Sequence, residues 1–330
     1  MSFTITQAFV QQYRNNVIHL AQQKGSRLRS TVRTTPNIVG LNYYYERIGA
    51  TAVQVKTSRH SPTPLISTPH SRRRVSMNTY QWGDLVDNDD QLKILINPES
   101  EYAIAGMNAF GRMTDDVIIA SMLGTAFAGP DGATGVTLPT TGGPLTTGQY
   151  VARTAINNDL SIQSGPTGGT NDASTLSPQR LRQIKYLFDV QDVDPDEERF
   201  ILVSPANLKN MLTFIQVTSA DYNTVKALAE GAIDTYMGFK FIMSNRIPQV
   251  GVASPLGITY QPIATVSNTN DRLMIAWARA GVGYALQEDV KTEIAKRPDM
   301  SFSTQIYMEM VMGGTRIEEA KVVVSPVAEV

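Results

Sequence analysis

The residue types that most often perform chemistry are sparse in this chain and are not grouped. The sequence contains no cysteine, which excludes disulfides, thiol nucleophiles and cysteine-ligated metals, and which fits a reducing compartment. Its 3 histidines, His19, His60 and His70, stand apart in the N-terminal part of the chain, and none lies within helical reach of another. This spacing favours solvated side chains over a metal site.

The carboxylates Asp192, Asp194 and Asp196 have the spacing that begins a calcium-binding loop. Such a loop needs glycine at its sixth position and glutamate at its twelfth, and these positions hold Glu197 and Val203. We therefore interpret the three aspartates as an acidic turn between a helix and a strand.

Motifs for nucleotides and for nucleophilic catalysis are also incomplete. Gly281-Val282-Gly283 lacks the third glycine of a dinucleotide fingerprint, and the sequence after it does not predict a helix. No phosphate-loop lysine and no Gly-x-Ser-x-Gly elbow occur. Glu318 and Glu319 are adjacent, and neighbouring residues on a strand face opposite sides. The sequence thus predicts no catalytic residue, no cofactor and no metal, and argues against an enzyme.

Charge is distributed unevenly along the chain. The first 80 residues carry 11 Lys and Arg against 1 acid, Glu46, whereas the whole chain has a net charge of −1. The basic run Arg72-Arg73-Arg74 is followed by Asp84, Asp87, Asp89 and Asp90, which would repel phosphate. Alternating blocks of opposite charge suit contacts between copies of one chain. We therefore predict an inter-subunit contact for one set of residues: Arg59, Arg72, Arg73, Arg74, Asp84 and Asp87.

The elements that would position these residues begin with an N-terminal arm. A short helix is predicted over Ile5 to Gln23, and the arm's prolines and glycine predict an extended segment whose hydrophobic core is supplied by a neighbour. Residues 38–77 have strand-like runs around a proline-rich tip, which predicts two strands running out and back. Asn97-Pro98 then begins a long amphipathic helix that is expected to end near Phe127.

The second half of the chain mixes helices and strands. A Gly- and Thr-rich loop over residues 129–174 precedes helices predicted at Ser177-Pro178, at Ser204-Pro205 and near residues 222–231. Strands are predicted at residues 200–203, 239–243, 273–280, 302–312 and 321–324, with Gly313-Gly314 as a turn. Because helices and strands do not alternate strictly, the predicted class is α+β.

Length and composition set the remaining limits. With 330 residues and 42% hydrophobic content, the chain can form two domains with appendages. The N-terminus lacks the apolar run of a secretory signal, and no segment has the length and apolar character of a membrane span. We expect a soluble, unsecreted protein.

The order of these parts resembles the major capsid protein of tailed bacteriophages, the Hong Kong 97-type fold. The residues that carry the resemblance lie mainly in the second half of the chain: Phe200 to Pro205, Thr218 to Asn223, Gly238 to Phe241, Ser244 to Pro248, Arg297 to Asp299 and Gly313 to Arg316. No single segment is a signature, but the ordered set covers nearly the whole chain.

The resemblance implies a division into an N-terminal arm (1–40), an extended loop (41–88), a peripheral domain with the spine helix (89–135 and 287–330) and an axial domain (136–286). It implies self-assembly as pentamers and hexamers into an icosahedral shell around double-stranded DNA, assembled in the host bacterial cytoplasm. It further implies a separate scaffolding protein, a portal protein, possible decoration by another protein, and no membrane partner.

Two alternatives stay open at this point. An encapsulin-like bacterial compartment would share the shell geometry and would load an enzyme instead of a genome. A DNA-binding protein would use the basic arm to contact phosphates.

Overall fold

The computed structural model describes residues 22–60, 63, 65–86, 98–138, 151, 175–212, 235–249 and 271–329. These residues form 3 sheets and 3 α-helices, which confirms the α+β class. The predicted helix near residues 222–231, residues 5–21 of the predicted helix over 5–23, and the capping role of Asn97 lie outside the described residues; Gln22 and Gln23 are not helical.

The first sheet is a long antiparallel ribbon with a short parallel strand at one edge. Its order is β1-β11-β12-β4. The strands are β1 (Arg33–Thr35), β4 (Asn78–Val86), β11 (Val282–Arg297) and β12 (Ser303–Arg316). We call it the ribbon sheet. Strand β4 was not predicted, since its sequence has few aliphatic residues.

The second sheet, which we call the central sheet, has the order β13-β10-β7-β9-β8. The strands are β7 (Arg199–Val203), β8 (Thr235–Tyr236), β9 (Phe239–Met243), β10 (Asp271–Ala278) and β13 (Val322–Ala328). Phe200 and Leu202 on one face join the largest apolar cluster, whereas Ile201 and Val203 pack in a second cluster on the other face. Because both faces are covered, the strands read as continuous apolar runs.

Two helices accompany the central sheet, α2 (Pro178–Val190) and α3 (Pro205–Leu212), as their Ser-Pro starts predicted. Ser177 is the N-cap of α2, and its side chain accepts a hydrogen bond from the Arg180 amide. The apolar face of α2 is buried against the central sheet at Leu181, Ile184, Leu187 and Phe188. The following acidic turn, residues 191–198, connects α2 to β7 as predicted.

The third sheet, the hairpin sheet, has the order β2-β3-β5-β6. Its strands are β2 (Asn42–Ile48), β3 (His70–Ser76), β5 (Ala126–Ala128) and β6 (Thr134–Val136). Strands β2 and β3 are the predicted pair that runs out and back. Within the strand-like stretch 38–77, residues 49–57 do not form a strand.

The spine helix, α1, spans Pro98–Leu123 and its 26 residues extend about 39 Å at about 1.5 Å per residue. The sequence predicted an end near Phe127, but Phe127 lies in β5. The reason is a buried guanidinium: Arg316 donates to the carbonyls of Met122 at 2.8 Å and Gly124 at 2.9 Å. A cation at a helix C-terminus satisfies the last carbonyls and complements the dipole.

The arm segment after residue 26 has its core within its own chain, contrary to the sequence-based expectation. Leu28 and Val32 belong to the same apolar cluster as Ile118 and Met122 of α1. The indole of Trp277 donates to the Thr31 carbonyl at 3.1 Å. The segment forms a short 3-10 helix, Arg29–Thr31, followed by β1, and its few apolar residues are spaced to fit beneath α1.

A single carboxylate fixes this arm segment to the helix. Asp115 of α1 is 0% exposed and accepts hydrogen bonds from the Ser26 hydroxyl at 2.6 Å, the Leu28 amide at 3.0 Å and the Arg27 amide at 3.1 Å. Gly111, one turn earlier, allows the approach, because a Cβ there would lie 2.4 Å from the Gly25 carbonyl carbon. Charge-assisted hydrogen bonds of this kind are among the stronger ones in proteins.

Gly313 and Gly314 do not form the predicted turn; they lie inside β12. A Cβ on Gly313 would lie 2.4 Å from the Ser76 carbonyl oxygen, and one on Gly314 would lie 2.9 Å from the Ser121 Cβ. The two glycines therefore let the ribbon sheet pass closely between the hairpin sheet and α1. A glycine pair within a strand indicates close approach as often as a turn.

The domain bounds stay a prediction. Strand β13 pairs with β10 along seven successive register positions of the central sheet, from Asp271↔Ala328 to Trp277↔Val322. The predicted bounds place these two strands in different domains.

We expect Gly313→Ala to lower the free energy of unfolding by about 1–3 kcal/mol, because the new methyl group overlaps the Ser76 backbone. Gly83→Ala in β4 is the matched control, since its nearest neighbour would be 3.6 Å away. Urea unfolding of the unassembled subunit measures both. Equal stability of the two variants would contradict the close-approach account.

We expect Asp115→Asn to lower the free energy of unfolding by about 2–3 kcal/mol, because an amide replaces the charged acceptor of several buried donors. Asp131→Asn, an exposed control, should change it by less than about 0.5 kcal/mol. Hydrogen exchange should show that residues 26–35 lose protection first in Asp115→Asn. Unchanged protection there would mean that the carboxylate does not hold the arm.

Candidate assembly interface

The hairpin of β2 and β3 carries three of the predicted contact residues, Arg72, Arg73 and Arg74. Its ladder runs from Asn42↔Ser76 to Ile48↔His70, and the Gly49 amide donates to the Pro69 carbonyl at 2.9 Å. Beyond this point the chain extends outward in described residues 50–60 and 65–68, which form no strand and make no backbone hydrogen bond with the body of the subunit. From here on, the name extended loop refers to residues 49–69, the outer part of the predicted loop segment 41–88.

Large apolar side chains are exposed along this region and the adjoining backbone. Val53 is 95% exposed and Leu65 is 99% exposed. The full exposed set between residues 39 and 66 is Val39, Leu41, Ile48, Val53, Val55, Leu65 and Ile66. A row of exposed apolar residues on one appendage marks an interaction surface rather than a random scatter.

A second group of exposed apolar residues lies on the body of the subunit. Tyr102, Ile104 and Met107 are exposed on the first half of α1, and Leu85 is exposed near the end of β4. The second half of α1 is buried in the core, at Ile118, Ile119 and Met122. Only the first half of the spine helix therefore presents an apolar surface to the outside.

The three consecutive arginines do not share one surface. Arg73 is 3% exposed, and its Nη2 lies 2.6 Å from both carboxylate oxygens of Glu319. Arg73 alternates with buried Val75 and Met77, so one face of β3 points into the subunit. The period of two along a strand is the sequence signal that separates Arg73 from its neighbours. Arg73 is thus an internal residue, and its prediction as a contact residue does not fit its position.

Arg72 and Arg74 are half-buried and also have partners within the chain. The Arg72 Nε lies 3.3 Å from Glu46, its cross-strand neighbour, and its guanidinium lies over the Tyr44 ring at 5.4 Å. The Arg74 guanidinium lies over the Phe127 ring at 4.9 Å. Both residues are only partly exposed, so their role in a contact with a neighbour stays a prediction.

The other predicted contact residues differ in their surroundings. Arg59 is exposed in the extended loop and forms no ion pair within the described residues. Asp84 is half-buried in β4 and accepts a hydrogen bond from the Leu85 amide at 2.8 Å. Asp87 lies outside the described residues. Within the described residues, Arg59 and Asp84 do not form an ion pair with each other.

Glu319 is the residue that sequence reasoning missed. It follows β12 in a short 3-10 helix, Glu319–Lys321, and three arginines from different elements surround it. Its neighbour Glu318 is exposed and lies 3.7 Å from Lys321. The two adjacent carboxylates do face different surroundings, as expected, although they lie outside a strand. Nothing in the local sequence distinguishes the two, because the arginines come from distant segments.

Burial changes the acid–base properties of two of these arginines. Burial lowers the pKa of Arg316, while Glu319 opposes this shift. The pKa of Arg47 is lowered first by burial and then by the positive charge of Arg73. Both guanidinium groups remain cations at neutral pH, since their ordinary pKa exceeds 12.

Among the residues that the structure describes, the histidines considered as metal ligands are exposed. His60 and His70 are exposed in the loop and hairpin, and His19 lies outside the described residues. Within the described ranges, no three potential ligand side chains are placed to hold a metal ion. None of the described helices combines the length and apolar character needed to cross a membrane.

Comparison with known proteins gives a family match over nearly the full length. The model of the family described as phage capsid protein matches residues 5–329. No curated protein matches the sequence.

Solved structures share the fold at low sequence identity. The capsid protein of the cyanophage P-SCSP1u has a TM-score of 0.70 at 14% identity, covering 100% of this chain and 96% of that chain. The capsid protein of Ralstonia phage GP4 has a TM-score of 0.67 at 9% identity, covering 100% and 98%. The capsid protein of the cyanophage Pam1 has a TM-score of 0.65 at 12% identity, covering 99% of each chain.

Proposed function

The chain belongs to the phage capsid protein family, and we propose that its copies assemble as pentamers and hexamers into an icosahedral shell that encloses the phage's double-stranded DNA. As a major capsid protein it forms the shell, and the resemblance found in the sequence is confirmed. The encapsulin-like and DNA-binding alternatives are not favoured. Its task is geometric: one fold must occupy two kinds of ring by small changes in angle.

The observation that carries the proposal is the apolar surface of the extended loop. Side chains such as Val53 and Leu65 are almost fully exposed in the single subunit. Burying a valine or leucine side chain contributes about 1.5–3 kcal/mol relative to leaving it in water. A subunit that displays several of these side chains on one appendage gains stability when a neighbour covers them.

We assign the covering surface to the first half of α1 of a neighbouring copy. Tyr102, Ile104 and Met107 are exposed there although they belong to an otherwise buried helix. The extended loop projects past the end of a two-stranded hairpin, which gives it the reach to contact another subunit. Complementary apolar surfaces on a single chain favour assembly of identical copies.

In this proposal, ion pairs determine how the extended loop is aligned on the neighbouring subunit. Arg59 and Lys56 are exposed on the extended loop, and Asp84 lies beside the exposed Leu85 on β4. Exposed ion pairs contribute only about 0–1 kcal/mol each, so they direct the fit more than they drive it. Arg72 and Arg74 stay candidates for this role, whereas Arg73 does not.

The remaining partners follow from the shell function. We propose a separate scaffolding protein and a portal protein, with a decoration protein as a possible addition, and non-specific contact with packaged DNA. Assembly takes place in the host bacterial cytoplasm, and the subunit acts without catalysis. The division into arm, loop, peripheral and axial domains with the bounds given above is part of the same proposal.

We expect the double variant Val53→Ser and Val55→Ser to keep the subunit folded and to weaken assembly. Losing two apolar contacts per subunit should raise the concentration needed for assembly by about tenfold or more. Light scattering and sedimentation against protein concentration, with scaffold present, measure this shift.

The control is Val190→Ser, an exposed valine at the end of α2, far along the chain from the loop. It should assemble at the wild-type concentration. Normal assembly of the loop variant would refute the role of the extended loop as the main contact.

A further inference from the structure

Three arginines from three strands converge on one carboxylate at the base of the extended loop. Glu319 accepts from Arg73 of β3 at 2.6 Å, and it lies 3.5 Å from the Arg316 Nε of β12 and 3.7 Å from the Arg47 Nη1 of β2. We call Arg47, Arg73, Arg316 and Glu319 the Glu319 hub. Glu319 is 19% exposed, so the ion pairs are only partly screened by water.

The same guanidinium groups also bind backbone carbonyls in neighbouring elements. Arg47 donates to the Ile317 carbonyl at 2.7 Å, and Arg73 donates to the same oxygen at 3.4 Å. Arg316 donates to Met122 and Gly124 at the end of α1, and to the Val136 carbonyl of β6 at 3.0 Å. The hub therefore ties both strands of the hairpin to the C-terminal end of the spine helix.

The Glu319 hub contains three positive charges and one negative charge. The loss of Glu319 would therefore disturb it most. Three cations surround one carboxylate, and Arg73 and Arg316 are almost completely buried. Without the carboxylate, three guanidinium groups would face one another with reduced solvation, a strongly unfavourable arrangement. Arg316 is fixed by three carbonyls, whereas Arg47 and Arg73 lie on the hairpin. The repulsion would therefore displace the hairpin.

We propose that Glu319 is a positioning residue that locks the angle between the hairpin and the body of the subunit, and so sets the direction of the extended loop. This inference rests on the proposed function, because the loop direction determines how neighbouring copies meet. Small changes of that angle at every subunit would change the curvature of the shell. The lock is a property of the single subunit and can be measured there.

The first experiment measures the loop direction in the unassembled full chain. Since the chain contains no cysteine, spin labels can be placed at Thr57→Cys in the loop and Lys185→Cys on α2. Double electron–electron resonance then gives the distribution of loop-to-body distances. Glu319→Gln should broaden this distribution, and Glu318→Gln, which alters the exposed neighbouring carboxylate, should leave it as in the wild type.

Hydrogen exchange supplies a second readout. Amides of residues 42–48 and 70–76 should exchange on the order of tenfold faster in Glu319→Gln, because charged hydrogen bonds at the base are lost. Amides in α2 should not change. If Glu319→Gln does not fold, the same measurements are made on Arg47→Gln. Arg47 is only half-buried, so its loss should loosen β2 to a smaller extent. Wild-type distances in the folded variants would overturn the proposal.

Assembly separates this inference from the proposed function. Electron micrographs of Glu319→Gln with scaffold should show particles of mixed size and shape, beside uniform particles from Glu318→Gln. A loosened hairpin with uniform particles would overturn the link to curvature. If even the wild-type chain forms no shells, the proposed function fails, while the distance measurement still reports whether Glu319 locks the hairpin.

Discussion

The carboxylate of Asp115 is the constraint on which the rest of the subunit depends. A buried charge is unfavourable unless it is fully hydrogen-bonded, and here the donors come from the turn at residues 26–28. Once this turn is fixed, Leu28 and Val32 must lie beneath α1, and Thr31 must meet Trp277 of the central sheet. One polar contact thus closes the apolar core between the helix and the central sheet. Its neighbour Asp116 pairs with Arg246 after β9, so the helix holds a second segment in the same turn.

Buried arginines make the second set of contacts that hold the subunit together. They change how the excess of basic residues in the first 80 residues is interpreted. The basic N-terminal part suggested cations reserved for other molecules, but Arg73 and Arg47 act inside the subunit. A planar guanidinium presents five donors in a fixed fork, a geometry that the lysine ammonium does not reproduce. This property suits places where several elements meet, such as the junction of hairpin, ribbon sheet and α1. Arg59, by contrast, is exposed on the extended loop, and its role in contacts between copies stays a prediction.

Patterns that span a single element were readable from the sequence, and contacts between distant elements were not. The Ser-Pro starts of α2 and α3, and the continuous apolar run of β7, depend on neighbouring residues only, and they were predicted correctly. The end of α1 depends on Arg316, almost two hundred residues away, so the periodic pattern alone placed it too late. Gly313 was assigned to a turn because the sequence does not show that Ser76 passes beside it. Glu319 could not be identified for the same reason, since its three arginines meet only in the folded chain.

The hairpin combines a firmly held base with an exposed apolar loop, and this combination suits assembly. An apolar appendage on a mobile base would lose entropy at every contact, whereas a fixed base presents the loop already oriented. In our proposal the Glu319 hub helps to fix this base, and the exposed valines and leucine supply the favourable surface beyond it. The base is also packed, because Tyr45 and Val75 of the hairpin belong to a small buried cluster with Ala285 and Ile317. In the proposed shell, where one fold occupies two kinds of ring, a loop with a defined direction is what each contact between copies requires.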